Sequence, residues 1–80
     1  MITNMKVGER YRIVTRQYHH KLKRESICDF LGERSNGQVH NIVVSYRPLA
    51  GTTEIPLSWI LSVEKVAKST PIKVQQVIRS

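Results

Sequence analysis

The sequence is short of several things, and each shortage excludes a class of protein. It holds one cysteine, Cys28. No internal disulfide can form, and a lone thiol inside an apolar run fits a reducing compartment and a buried, inert place in a strand. No apolar run approaches the roughly 18 residues needed to span a bilayer. The opening Met-Ile-Thr-Asn-Met-Lys lacks the apolar segment and small-residue cleavage site of a signal peptide. A soluble, cytoplasmic chain with no membrane partner is expected. Its 80 residues give one domain of modest stability, because a chain this short buries only roughly 60% of its unfolded surface. Most enzymes need a scaffold plus a shaped pocket of at least roughly 300 Å³, and this chain is too small for that.

Chemistry-bearing patterns are equally scarce. There is no CxxC, no HxxxH, no phosphate-cradling glycine loop and no supported pair of catalytic carboxylates. His19 and His20 are adjacent, and neighbours on an extended chain point to opposite sides, so the two do not share one metal ion. A structural zinc site normally takes four ligands, and only His40 and Cys28 remain to supply them. Cys28 with a histidine is the one conceivable nucleophilic pair, and a strand-interior thiol lacks the exposure that reactivity requires. No metal, no cofactor and no enzymatic activity are expected. One Phe, three Tyr and one Trp are too few and too scattered for an aromatic cage around a methylated cation. Trp59 is therefore expected in the core, among Ile55, Leu57, Leu61 and Val63.

Acidic residues are the last shortage. Thirteen Lys and Arg face six Asp and Glu, for a net charge of +7 and a pI near 10.1. Such a balance points to a polyanionic partner and says nothing about fold. Residues 6–24 carry seven basic side chains against one acidic, residues 25–64 carry two against five, and residues 65–80 add four more basic ones. Positive charge thus collects at both ends of the chain, and it forms a single patch only if the fold brings those ends together.

What the chain does have is β-patterning, and residues 26–46 organise it. Two runs rich in β-branched and apolar residues flank Ser35-Asn36-Gly37-Gln38. An Asn-Gly pair reaches positive φ at both central positions of a type I′ turn with little strain, which is the strongest local hairpin signal. A central hairpin of Ser26–Glu33 with Val39–Tyr46 is expected. Before it, the run from Val7 to Arg16 alternates with a period near two. Val7, Tyr11 and Ile13 share one face; Arg10, Arg12 and Arg16 share the other; Val14 breaks the pattern at a rim or bulge. Gln17–Arg24 is an exposed basic connection that turns into strand near Leu22. Ile27 and Leu31, then Cys28 and Phe30, put apolar residues on both parities of the second strand, as a strand used on both faces or kinked by a bulge does. Gly32 is the flexible point.

Downstream, Arg47–Thr53 reads as a loop. A short strand Glu54–Leu57 follows, then one tight turn at Ser58–Ile60 with Ser58 as its cap, then a strand from Leu61 to Val66. The tail is open between alternatives. Thr70 and Pro71 make a good helix start; Ile72, Val74, Val77 and Ile78 favour a strand that pairs with the first strand or with another copy of the chain; a disordered tail is the third alternative.

A first strand, a long bent hairpin, a short strand, one turn and a last strand form the layout of the SH3-like small barrels, which SH3, Tudor, KOW and Sm-like modules share. The stretch Ile55-Pro56-Leu57-Ser58-Trp59-Ile60-Leu61-Ser62-Val63-Glu64 most resembles the end of such a barrel. The resemblance covers residues 7–66 and is one of layout, so no family's site residues carry over. It implies a mostly β chain: a five-stranded SH3-like barrel with a single-turn helix before its last strand. Residues 1–6 are then a flexible lead-in, and residues 67–80 a C-terminal strand or short helix.

The expected function is non-enzymatic binding of nucleic acid, DNA or RNA, through phosphate contacts. Arg10, Arg12, Arg16, Lys21, Lys23 and Arg24 would supply the cations and Tyr18 a stacking ring. The alternative is a protein-interaction module that docks an acidic protein partner, or a homodimer formed through the C-terminal segment. Size and the lack of accessory domains suit a small accessory protein of a phage or mobile element.

Overall fold

The computed structural model describes residues 4–17, 19 and 21–78. Its element order is β1 (Arg10–Thr15), β2 (Lys23–Asn36), β3 (Val39–Ser45), β4 (Thr52–Pro56), a 3-10 turn (Leu57–Trp59), β5 (Ile60–Lys65) and β6 (Lys73–Ile78). The chain is mostly β, and that turn is the only helical element among the described residues. No described helix is long and apolar enough to cross a membrane.

All six strands join one antiparallel sheet in the order β4-β3-β2-β1-β5, with β6 on β2 outside that path. The sheet is not closed: β4 and β5 stand at its two ends, linked through the 3-10 turn. β2 is the spine. One of its edges pairs with β1 from Arg24 to Asp29. The other pairs with β6 from Lys23 to Ile27 and then with β3 from Asp29 to Asn36. The tail thus resolves to a strand, and its partner is β2 rather than the first strand. β2 holds both neighbours because it bends: the β3 register skips between Phe30 and Gly32, and Gly32 sits at φ 149°. That backbone favours glycine, and the skip leaves Leu31 as the extra residue, turned outward and exposed.

The hairpin is present, with a different turn from the expected one. Asn36 pairs with Val39, so the two-residue loop is Gly37-Gln38. Gly37 has φ 65°, whereas Asn36 keeps a negative φ. Positive φ at the first loop residue alone is the φ signature of a type II′ turn, which prefers glycine there and also matches strand twist. The other tight turn differs as well. Leu57–Trp59 follows Pro56 at its N-cap and has no side-chain cap hydrogen bond, so Ser58 does not serve as one.

Cross-strand partners share a face. The pairs Tyr11–Cys28, Phe30–Val44 and Ile42–Ile55 place one continuous apolar surface on the inner side of the sheet. Ile13, Cys28, Phe30, Ile42 and Val44 are fully buried there. A flat single sheet leaves one face wet, so burial this complete means that the sheet curls over its own inner face. Tyr11 meets Phe30 edge to face, with ring centroids 6.4 Å apart. Tyr46 and Met5 complete the cluster, and Leu57, Ile60 and Ile72 pack against it. Met5, expected in a flexible lead-in, is buried, and the adjacent Lys6 N–H donates to the Tyr11 hydroxyl at 2.7 Å. Three residues expected in the core stand elsewhere. Val63 and Leu61 are 40% and 45% exposed, Leu61 because the β1–β5 register skips it between Val14 and Thr15. Trp59 is only half-buried and lies outside the core cluster.

Candidate functional site

The outer face of the sheet carries most of the charge, and the strand register orders it into rows. Arg10 lies opposite Asp29; Arg12 lies between Glu64 on β5 and Ile27 on β2, with Lys73 beyond on β6; Val14 lies between Ser62 and Glu25, with Gln76 beyond. Alternation sends Arg10, Arg12 and Val14 outward because Tyr11, Ile13 and Thr15 go in.

These rows neutralise themselves. The Arg10 guanidinium forks onto Asp29, with Nε at 2.8 Å from Oδ1 and Nη2 at 3.1 Å from Oδ2. Its Nη1 also donates to the Lys68 and Thr70 carbonyls at 2.6 and 2.8 Å, fixing the β5–β6 connection to the sheet. Arg12 Nη2 reaches Glu25 Oε2 at 2.9 Å, and Lys73 Nζ reaches Glu25 Oε1 at 3.0 Å. The hydrogen bonds from Arg12 and Lys73 hold the Glu25 carboxyl below its ordinary pKa, and the bond from Arg10 does the same for Asp29. Both arginines are correspondingly raised by their carboxylate partners. Arg10 and Arg12 are therefore already paired within the fold.

The described C-terminal cations lie beside Arg10 and Arg12, with Lys68 and Lys73 sharing Asp29 and Glu25 with them, and not beside Arg16, Lys21 and Lys23. Lys65 stands 3.7 Å from Glu9, and Lys68 stands 3.7 Å from Asp29 and also donates to the Gly8 carbonyl. Both lie at the start of β1, with Lys65 opposite Tyr11. At about 3.3 Å per residue, that is roughly 17 Å along the strand from Arg16. Among the described residues the positive charge thus divides in two: Arg10, Arg12, Lys65, Lys68 and Lys73, laced with carboxylates, and the cations of residues 16–24.

The other pole is different. Thr15 pairs with Arg24 on one side and Ile60 on the other. One residue further, the Arg16 N–H donates to the Trp59 carbonyl at 2.8 Å. The same antiparallel count sets Arg16 opposite Lys23, which pairs with Ile78. A row of Trp59, Arg16, Lys23 and Ile78 thus crosses the end of the outer face, with Lys21 just beyond it in the loop. Arg16, Lys21 and Lys23 are exposed and Arg24 is half-buried at the rim. Residues 16–24 contain four basic and no acidic side chains, and among the described residues no ion pair engages any of the four. Tyr18 and His20 lie outside the described residues. His19 sits at φ 66° and is exposed in the same loop.

Of the expected site residues, the fold sets Arg16 and Lys23 in one row with Lys21 beyond it, places Arg24 at the rim on the face of inward Thr15, and assigns Arg10 and Arg12 to its own ion pairs. The residue that sequence reasoning put elsewhere is Trp59. Its signal was available: a single turn after an edge-strand proline has no second turn to pack its side chains inward, and none of its three residues is buried.

Other chemistry is sparse. Cys28 is buried, and burial pushes its thiol up to about 12, far from the thiolate a nucleophile needs. Among the described residues no three His, Cys, Asp or Glu side chains gather as a metal site would require. One surface hollow, of about 310 Å³, is lined by Asn4, Met5, Tyr11, Val63 and Lys65. Comparison with protein-family models, with curated proteins and with solved structures found no match.

Proposed function

We propose that this chain is a small, non-enzymatic, cytoplasmic binding module of SH3-like barrel type that grips nucleic-acid phosphates with Arg16, Lys21, Lys23 and Arg24. One observation carries this reading: carboxylates pair Arg10, Arg12 and Lys73 along the outer face, whereas among the described residues no ion pair reaches Arg16, Lys21, Lys23 or Arg24. Unpaired cations on a strand end release condensed counterions when they meet phosphates. Phosphate contact of this kind is mostly blind to sequence.

The test is fluorescence anisotropy with labelled single- and double-stranded DNA and RNA over a salt series. Micromolar binding is expected, with a log–log salt slope of about −3 if three to four phosphates are contacted. Lys21→Ala/Lys23→Ala should weaken binding and flatten the slope by one to two units, whereas Arg12→Ala should leave the slope nearly unchanged. No binding at low ionic strength, where surface charge acts most strongly, would remove the nucleic-acid reading.

A second reading has its own observation. β6 pairs with β2 by one edge, no strand covers its other edge among the described residues, and Val74 and Val77 are 41% and 39% exposed. Strand addition at that edge, by a second copy or by an acidic protein partner, is the alternative. A dimer that persists at high salt and dissolves on Val77→Lys would establish it.

A further inference from the structure

Resting on the phosphate-binding reading, we infer that the ligand is an unpaired nucleic-acid strand, with one base stacked on the Trp59 indole while Arg16 and Lys23 hold the adjoining phosphates.

The case begins with where the chain spends its one tryptophan. A large aromatic is the most effective core filler a small domain has, yet the core closes without Trp59. The ring stands half-buried at the sheet end. Among the described residues its side chain has no ring partner, the one such pair being Tyr11 with Phe30. It is thus available to a ligand at the place where the unpaired cations collect.

The spacing fits a strand of nucleotides. Trp59 and Arg16 are held side by side by the 2.8 Å backbone hydrogen bond, and Lys23 is one strand further. Neighbouring strands are about 4.8 Å apart, so the row spans roughly 10 Å from Trp59 to Lys23. At about 3.4 Å per stacked nucleotide, that is the length of roughly three nucleotides. An indole at one end with guanidinium and ammonium groups beside it is the combination that binds single strands: a flat face for a base and cations for the backbone.

A duplex suits the surface less well. Its base faces are already stacked on each other, so the indole has nothing to cover. Entry into a major groove needs a helix or a two-stranded ribbon. The described residues hold no helix beyond one 3-10 turn. The exposed end of the β2–β3 ribbon offers Arg34, and that residue is paired with Glu54 at 3.1 Å. The rest of that ribbon, residues 35–46, contains no lysine or arginine.

The single tryptophan makes its own reporter. The intact chain is titrated with a 12-nucleotide oligothymidylate, with a duplex of equal length and with inorganic polyphosphate, following tryptophan emission and, for the labelled DNA, anisotropy. Oligothymidylate is expected to quench the emission, and polyphosphate, which has charge and no bases, to leave it nearly unchanged. Trp59→Ala should weaken oligothymidylate binding about 10-fold, as loss of one stacked base does, with the salt slope and duplex binding preserved. Trp59→Phe should recover most of the loss. Oligothymidylate binding with unchanged emission, or equal quenching by polyphosphate, overturns the stacking and leaves the phosphate reading standing. Failure of every polyanion to bind overturns both.

Discussion

At the scale of single residues, position and not type decides what a basic side chain does. Arg10 and Arg16 fall on the same face of the first strand by sequence parity, yet Arg10 has its donors occupied by a carboxylate and two carbonyls while Arg16 has none of these. Replacing Arg10 with Ala leaves Asp29, whose side chain is only 22% exposed, with Lys68 at 3.7 Å as its remaining cation, and releases the β5–β6 connection. The expected loss is about 1–3 kcal/mol of stability, in line with charge-assisted hydrogen bonds at partly buried sites. Urea unfolding measures it. Arg10→Lys should restore little, because an ammonium cannot fork onto a carboxylate and reach the two carbonyls at once. The sequence showed how many cations there are and on which parity. It did not show their partners, because Asp29 is 19 residues from Arg10 and Lys68 is 58 away.

Among the elements, local chemistry was legible and long-range pairing was not. The first five strands lie within a few residues of their expected bounds, and the bend at Gly32 stands where the double-parity apolar pattern puts it. What failed locally was the turn, because Asn36-Gly37 and Gly37-Gln38 are both acceptable loops. Register decided for the second by pairing Asn36 with Val39. The difference is measurable. A side chain at Gly37 would meet no atom within 4 Å but would force an L residue to φ 65°, so Gly37→Val should cost about 1–2 kcal/mol from backbone strain alone. Asn36→Ala, at a residue with negative φ, should change stability by less than about 0.5 kcal/mol. Equal losses from the two variants would restore the type I′ turn. β6 remained open between strand and helix because its choice depends on the free edge of β2, which no local window contains.

For the whole molecule, the outer face works as an electrostatic lock between sheet and tail. Glu25 joins Arg12 of β1 to Lys73 of β6, and Asp29 joins Arg10 to Lys68 of the connection. Both carboxyls titrate below their ordinary values in the folded protein. Their stabilising contribution is therefore complete above the unfolded carboxylate range, about pH 4, and is lost as pH falls through the lowered folded values. Denaturation midpoints should hold level from pH 7 to pH 5 and then drop steeply towards pH 3. Glu25→Gln/Asp29→Asn should flatten that drop. A drop of unchanged size in the double variant would place the acid sensitivity in other carboxylates.

The spine strand has one more consequence, for the order in which the molecule assembles. β1, β2, β3 and β4 follow one another as neighbours, and each pairing closes a short loop. β5 and β6 must return from some fifty residues away to reach β1 and β2, at a closure entropy that grows with the logarithm of loop length. Arg16 and Lys23 belong to the part that assembles from neighbours; Trp59 arrives with the returning segment. A half-folded chain would therefore display these cations before the ring stands beside them. On the binding mode proposed above, discrimination between a base and a bare phosphate would come only once the β5 segment has docked on β1, and selectivity would report that docking.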